Sequence, residues 1–373
     1  MRVPFIDIRA HYQDVVPEID QVTHEVLSSG GYVLGKHNKA LEEELATLHG
    51  VKHGIAVNSG TDALRIAMDA CGIKPGDEVI TTAFTFVASV EVIVQLGAIP
   101  VFVDIEPHTF NIDPEKIREA ISSKTRAILP IHLFGQLANV NAISAIAREH
   151  GLMVIEDAAQ AVASHHNGAY AGKHGRAAGL SFYVTKNLGA AGDGGMILTD
   201  DDEVAELARS IRIHGMGRER YYYDYIGYTS RLDEIQAAVL RTKLTKLADW
   251  NARRGEIAAR YLDELRSLDL RLPSIVAGNN HTWHQFTVRS PRREAMQGFL
   301  KEREIDSMIY YPVPIHYHAP YRRFGNGEGS LPETEAAAKE VLSLPVHPHM
   351  RDEQVEWVIE SVAQFASPVG RPA

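Results

Sequence analysis

Cysteine is almost missing from this chain: Cys71 is the one thiol in 373 residues. That excludes an internal disulfide framework and a cysteine-ligated iron–sulfur cluster, and it fits a reducing compartment. No stretch approaches the roughly 20 apolar residues of a membrane-spanning helix. The opening Met1-Arg2-Val3-Pro4-Phe5-Ile6-Asp7 carries charges where a signal peptide has its apolar core. A cytoplasmic location with no membrane partner is therefore expected. An excess of basic residues is absent too. Lys and Arg total 38 against 48 Asp and Glu, for a formal net charge of -10. Nucleic acid as the main partner is excluded by that balance, because phosphate tracking needs a basic footprint. One local basic pocket for a single phosphorylated ligand is still compatible with it. Histidine is plentiful, at 18 residues. None of the pairs His165-His166, His316-x-His318 and His347-x-His349 has a third ligand at a recognised spacing, so no metal site is expected.

What is present is ordinary globular material: 45% hydrophobic and 23% charged residues, with length for two domains. Short apolar runs alternate with helical patterns. Strands are predicted at Gly54–Val57, Glu78–Thr81, Pro100–Asp104, Ala127–Ile131 and Leu152–Asp157. Helices are predicted at Asp62–Ala70 and Phe86–Gln95, and from Pro114, with Asp113 as N-cap. The alternation implies an α/β fold with a mainly parallel sheet covered on both faces. From Leu232 to Leu265 the sequence is helical, in two parts expected to meet near Asp249–Arg253. Beyond lie a strand at His284–Val288, helices at Arg293–Glu302, Pro332–Val341 and Asp352–Phe365, and an exposed glycine-rich loop at 325–329. The domain expectation is a large unit over 1–250 and a smaller α+β unit over 251–373.

Four segments carry chemistry. Asn58-Ser59-Gly60-Thr61-Asp62 follows a strand and opens a helix, where free amides favour an anion. An ordinary N-cap is the plain alternative. Glu156-Asp157-Ala158-Ala159-Gln160 places Asp157 at the carboxyl end of a parallel strand, the edge where open α/β sheets bind ligands. Ser181-Phe182-Tyr183-Val184-Thr185-Lys186-Asn187-Leu188-Gly189, running on to Gly192-Asp193-Gly194-Gly195, sets Lys186 in a largely uncharged stretch. A desolvated lysine there becomes a nucleophile. The fourth, Gly227-Tyr228-Thr229-Ser230-Arg231-Leu232-Asp233-Glu234-Ile235-Gln236, is a loop entering a long helix.

In this order and spacing, the chain resembles the DegT/DnrJ/EryC1/StrS family of sugar aminotransferases, from Pro4-Phe5-Ile6-Asp7 to Leu344-Pro345. The resemblance implies the aspartate-aminotransferase (fold type I) architecture with a seven-stranded-type sheet. It implies pyridoxal 5'-phosphate held as an internal aldimine on Lys186, with pyridoxamine 5'-phosphate as the alternate form. Asp157 then pairs with the ring nitrogen and Gln160 lies near the ring hydroxyl. Gly60, Thr61 and Ser181 hold the phosphate, and Phe86 stacks on the ring unless it is a core aromatic. The family works as a homodimer with active sites at the interface, and an Asn usually reaches the partner's phosphate. Here Thr229 stands at that position, with one hydroxyl donor where an amide offers two. Val184 and Ala83 also replace common prolines.

By the same resemblance, L-glutamate is the amino donor, released as 2-oxoglutarate, and a nucleotide-linked keto sugar is the acceptor. Leu188-Gly189-Ala190 and Asp193 resemble enzymes that aminate carbon three of a dTDP-sugar. Carbon four or a UDP-sugar is the alternative. Among candidate substrate contacts, Tyr311 and His316 would meet sugar hydroxyls, with an aromatic structural loop as the bland reading, and Arg231 a carboxylate or diphosphate, with a plain ion pair to Asp233 or Glu234 as its bland reading. Related dehydratases carry histidine in place of the lysine, which Lys186 argues against. A PLP-binding regulatory protein without turnover is a further alternative, opposed by the intact Lys186, Asp157 and Gln160.

Overall fold

A computed structural model describes residues 1–366. Three helices open the chain: α1 (Ile8–Gln13), α2 (Val16–Ser29) and α3 (Lys36–His49). Strands and helices then alternate as β1 (His53–Val57), α4 (Gly60–Ala70), β2 (Glu78–Thr82), α5 (Ala88–Gln95), β3 (Ile99–Val103), α6 (Pro114–Ala120), β4 (Thr125–Ile128), α7 (Val140–His150) and β5 (Met153–Asp157). A short hairpin, β6 (His165–His166) and β7 (Ala169–Tyr170), precedes β8 (Ala177–Ser181), β9 (Gly195–Thr199) and α8 (Asp202–Ile211). Seven strands form one sheet in the order β1-β9-β8-β5-β4-β2-β3. β9 alone runs against its neighbours, and the other ladders are parallel. The mainly parallel sheet expected from the alternation is therefore there, with the seven strands that the resemblance implied.

Helix α4 shows how this region is built. Ser59 caps it, its side chain accepting from the Asp62 amide at 3.1 Å. Its apolar face buries Ala63, Leu64, Ile66, Ala67 and Met68 against the sheet. Each large side chain so buried stabilises by about 1.5–3 kcal/mol. Close approach requires Gly179 on β8, where a Cβ would sit 2.8 Å from the Leu64 side chain. α6 starts as expected, with Asp113 accepting from the Glu115 amide and Pro114 in the first turn.

The second part comprises α9 (Glu234–Leu244), α10 (Leu247–Glu264), β10 (Phe286–Arg289), α11 (Arg293–Glu302), α12 (Pro332–Glu340), β11 (Val341–Leu344) and α13 (Asp352–Ala366). Its core gathers Ile257, Ala258, Tyr261, Phe286, Leu342, Val355 and Val358, and draws in Val3 from the other end of the chain. The expected boundary at 250/251 falls within α10. Leu247 belongs to a core of the large sheet, while Ile257 and Tyr261 belong to the second core.

Two expectations need correction. The helix junction lies at Thr245–Lys246, not near Asp249–Arg253. The polar residues there make tertiary contacts instead of a turn: Asn251 accepts from Asn187, and Arg253 pairs with Asp352. Val341 is the first residue of β11 rather than the end of α12, because its ladder partner is Arg289. Among the described residues no helix is long and apolar enough to cross a membrane.

Candidate active site

The carboxyl ends of β1, β2, β5 and β8 open onto one cavity of about 470 Å³. Parallel strands of an open sheet aim their last residues there, which is why such sheets place ligands at this edge. Gly60, Thr61, Phe86, Asp157, Gln160, Ser181, Lys186 and Tyr311 all line it. These residues span more than 250 positions of sequence.

Lys186 follows β8 in a loop whose amide bonds back to the Tyr183 carbonyl. Burial pulls its ammonium down to about 8, and the nearby Asp157 charge opposes that only in part. Asp157 is held rigidly. Its Oδ2 accepts from Ser89 Oγ at 2.7 Å and its Oδ1 from the Ala159 amide at 3.1 Å. Thr85 Oγ1 lies 2.9 Å from Ser89 Oγ and extends this chain. Burial pushes the Asp157 carboxyl above the usual range, with those two hydrogen bonds opposing it. A buried carboxylate with so little compensation favours a cation beside it.

At the other end of the cavity, α4 presents its N-terminus. Its first residue is Gly60, where a Cβ would lie 2.6 Å from Ser181 Cβ. Glycine is thus required for β8 to approach α4, and Gly60, Thr61 and Ser181 all line the cavity. Phe86 lies outside α5 in the preceding loop and is 56% exposed. It is not a core aromatic; its ring borders the cavity 6.4 Å from that of Tyr311. Gln160 is pinned at both ends. Its Oε1 accepts from the Phe134 amide at 2.7 Å, and its Nε2 donates to Tyr311 Oη at 3.1 Å. Burial pushes the Tyr311 phenol well above its usual value, so that hydroxyl is neutral.

Three expected site residues are not brought into the cavity. His316 is buried, 3.5 Å from Glu335 and tilted against Phe102, so its sugar contact gives way to a packing role. Thr229 is exposed and meets His214 Nε2 at 2.9 Å, away from this chain's own Lys186. Arg231 borders a neighbouring cleft that shares only Ser59 and Asp193 with the main cavity. Of the segment after the lysine, Leu188 and Ala190 are buried in the core, and Asp193 alone lines the cavity.

Sequence reasoning missed Ser89, Thr85, His284 and Gln285, which also line the site. Nothing local distinguishes them, since their placement is a tertiary event. It also left Glu156 without a role. Glu156 is completely buried and accepts from the Gly172, His174 and Gly175 amides and from His132 Nε2 at 2.8 Å. His132 Nδ1 accepts from the Ala138 amide, so the proton sits on Nε2 and the pair is a neutral imidazole donating to a carboxylate. Burial pushes the Glu156 carboxyl up, but the His132 hydrogen bond and the amides outweigh it and hold it below the usual range. Glu156 thereby ties the loop after β7 to the strand end that carries Asp157.

The model of the DegT/DnrJ/EryC1/StrS aminotransferase family matches residues 13–363. The chain belongs to this family. Among its fellow members, a "Pleiotropic regulatory protein" of Geobacillus stearothermophilus is 50% identical over 98% of this chain and 99% of its own. A dTDP-3-amino-3,4,6-trideoxy-alpha-D-glucose transaminase of Streptomyces venezuelae is 43% identical over 99% of this chain and 97% of its own. The crystal structure of S. venezuelae DesV in complex with a ketimine intermediate superposes with a TM-score of 0.97 at 42% identity, covering 99% of this chain and all of that one. The aspartate-aminotransferase-like fold and the aminotransferase class expected above stand on these matches. The family depends on pyridoxal phosphate, and this site fits that group. It offers a desolvated amine, an undercompensated carboxylate, a glycine-lined helix N-terminus for a phosphate and an exposed aromatic face.

Proposed function

We propose that this chain transfers an amino group from L-glutamate to a nucleotide-linked 3-keto sugar, with pyridoxal 5'-phosphate as cofactor and dTDP as the carrier. The observation that carries this reading is the convergence of Lys186 and Asp157 on one cavity that also receives the α4 N-terminus. When bound, the cofactor supplies an electron sink for the carbanion formed as the amino group is exchanged.

The rest falls to the chain's own residues. Lys186 Nζ would hold the cofactor covalently, and with its ammonium pulled down to about 8 it can take a proton from the substrate carbon and return it. Asp157, fixed by Ser89, would hold the positive charge of the ring nitrogen. Gly60, Thr61 and Ser181 would receive the phosphate. Phe86 would cover one ring face, and Gln160, oriented by Phe134 and Tyr311, would meet the ring hydroxyl. Asp193 and Tyr311 are the residues of the candidate sugar region that border the cavity. Arg231, which lines the adjoining cleft, would meet the substrate's diphosphate.

The reading includes a homodimer. Tyr221, Tyr222, Tyr223, Tyr225 and Ile226 form an exposed apolar run, Ile226 at 91%, of the kind a second copy covers. Thr229, beside this run, would then reach the partner's phosphate through its hydroxyl or through water. The cytoplasm suits such a biosynthetic role.

The test is to load the protein with pyridoxal phosphate, add 15N-labelled L-glutamate and then a dTDP-3-keto-6-deoxyhexose, and weigh the sugar product. Label in the sugar is the expected result. A second reading, a PLP-binding regulator without turnover, draws on the name of the Geobacillus relative. It predicts bound cofactor with no label transferred to any dTDP- or UDP-keto sugar.

A further inference from the structure

His284 and Gln285 are two further residues on the wall of the active-site cavity. They stand just before β10, in a segment pressed against residues 134 and 135. The Thr282 amide donates to the Gly135 carbonyl at 2.9 Å, and the Gln285 amide donates to the Phe134 carbonyl at 3.2 Å. Gly135 has a φ of 107°, and a Cβ there would lie 2.9 Å from the His284 amide nitrogen. Only glycine lets the two stretches come so close. Phe134 also orients Gln160, so both sides of the cavity share one anchor.

The His284 ring carries its proton at a defined atom. The Thr282 carbonyl can only accept, so the Asn187 atom 2.8 Å from it is Nδ2, which also donates to Asn251 Oδ1 at 2.8 Å. The Asn187 Oδ1 is then the atom 3.2 Å from His284 Nδ1, and as an acceptor it fixes the hydrogen on Nδ1. Burial pulls the imidazole well below its ordinary value, and the Lys186 and Arg254 charges act in the same direction. The ring is therefore neutral, and Nε2 is a bare lone pair that accepts but cannot donate. His284 is 7% exposed, and among the described residues nothing hydrogen-bonds its Nε2. The side chain of Gln285, also buried, has no hydrogen-bond partner among them either. Buried polar groups are normally paired, so two such neighbours on a cavity wall point to a ligand.

That ligand must bring a hydrogen to Nε2. A keto oxygen and a diphosphate only accept, so neither suits the position. The amine exchanged in the reaction is engaged at the reacting carbon. The hydroxyls beside that carbon stay free, and each can give one hydrogen and receive another, which matches a bare acceptor next to an amide. We propose that His284 is a specificity-determining residue whose Nε2 accepts the hydroxyl hydrogen of a sugar carbon next to the keto carbon, with Asn187 holding the ring in the accepting tautomer. Gln285 donates to the same oxygen. This rests on the aminotransfer reading above.

The test compares kcat/KM of the holoenzyme for a dTDP-3-keto-6-deoxyhexose and for its 2-deoxy and 4-deoxy counterparts. General damage to the site cancels in the ratios. The wild type is expected to favour the parent over one deoxy sugar about 5- to 150-fold, the scale of a buried acceptor left unmet. His284→Phe, which keeps a ring without the acceptor, should reduce that preference to below about threefold. His284→Gln, which restores an acceptor oxygen, should recover part of it. Equal transfer to the parent and both deoxy sugars by the wild type overturns the proposal. So does a preference that survives in His284→Phe, even where all rates fall together, because the residue is then structural. Where His284→Phe does not fold, a crystal of the wild-type holoenzyme with the aminated sugar nucleotide decides. A sugar hydroxyl oxygen within hydrogen-bond distance of His284 Nε2 supports the proposal, and none there overturns it. If no nucleotide-linked keto sugar is aminated at all, the aminotransfer reading falls too. If transfer occurs without the preference, only the role of His284 falls.

Discussion

Replacing Glu156 by Gln is isosteric, yet it is expected to be among the most damaging single changes outside the reacting groups. The carboxylate sits at 0% exposure and receives four hydrogens, from His132 Nε2 and from the amides of Gly172, His174 and Gly175. Because His132 Nδ1 is already an acceptor for Ala138, the imidazole cannot turn its proton away. The new amide nitrogen must therefore face donors, whichever way it is placed. Oε2 meets His132 and Gly172, so at least two charge-assisted bonds are lost. With hydrogen bonds to charged groups worth about 1.5–3 kcal/mol each, the cost of losing two is about 3–6 kcal/mol. At about 2.1 cal/mol/K of unfolding entropy per residue, that lowers the melting temperature by about 4–8 °C. Differential scanning calorimetry at pH 7 measures it. The pH dependence gives an independent sign. The folded Glu156 carboxyl is held below its ordinary 4.5, so its contribution is fully present above that pH and is lost as pH falls through the folded value. The gap between wild type and variant should narrow in acid. A melting point within 1 °C of wild type at pH 7, or a gap that widens in acid, refutes the reasoning.

Four further outcomes follow from the site. Lys186→Arg should abolish transfer and the visible absorbance of the loaded protein. In the wild-type apoprotein, the rate of cofactor capture should rise with pH and be half-maximal near 8, where the amine loses its proton, as stopped-flow absorbance would record. Gly60→Ala drives a Cβ to 2.6 Å from Ser181 Cβ, so α4 must retreat from β8. Overpacking of about 1–3 kcal/mol should weaken cofactor retention about 5- to 150-fold in equilibrium dialysis. Ser89→Ala removes the 2.7 Å donor to Asp157, and about 10- to 100-fold weaker cofactor binding is expected, with Ser89→Thr recovering part of it. Unchanged affinity in Ser89→Ala would show that Asp157 does not depend on that hydroxyl.

Much of the framework is local in origin and was readable from the chain. Alternating apolar runs and capping signals located β1, β2, β3, β5 and α4, because a strand or helix states its own period. β8 leaves no such mark, since Ala177-Ala178-Gly179-Leu180-Ser181 has no β-branched residue and its burial comes from α4 packing on it. The helix junction was misplaced because polar residues at 249–253 look like a turn, while their real partners, Asn187 and Asp352, lie about 60 and 100 positions away.

The site divides in the same way. Lys186, Asp157, Gln160 and the Gly60–Thr61 turn stood out because reactive groups beside strand ends and helix starts leave marks in a few consecutive residues. What only the tertiary structure decided are matters of distance between remote segments. Ser89 reaches Asp157, Glu156 gathers the 172–175 loop, and His316 turns into the core while Phe86 stays exposed. Arg254 likewise is one arginine of a helical pair in the sequence. Packing of α10 against β10 and the segment after β11 removes its water without supplying a countercharge, and that balance exists only in the folded chain.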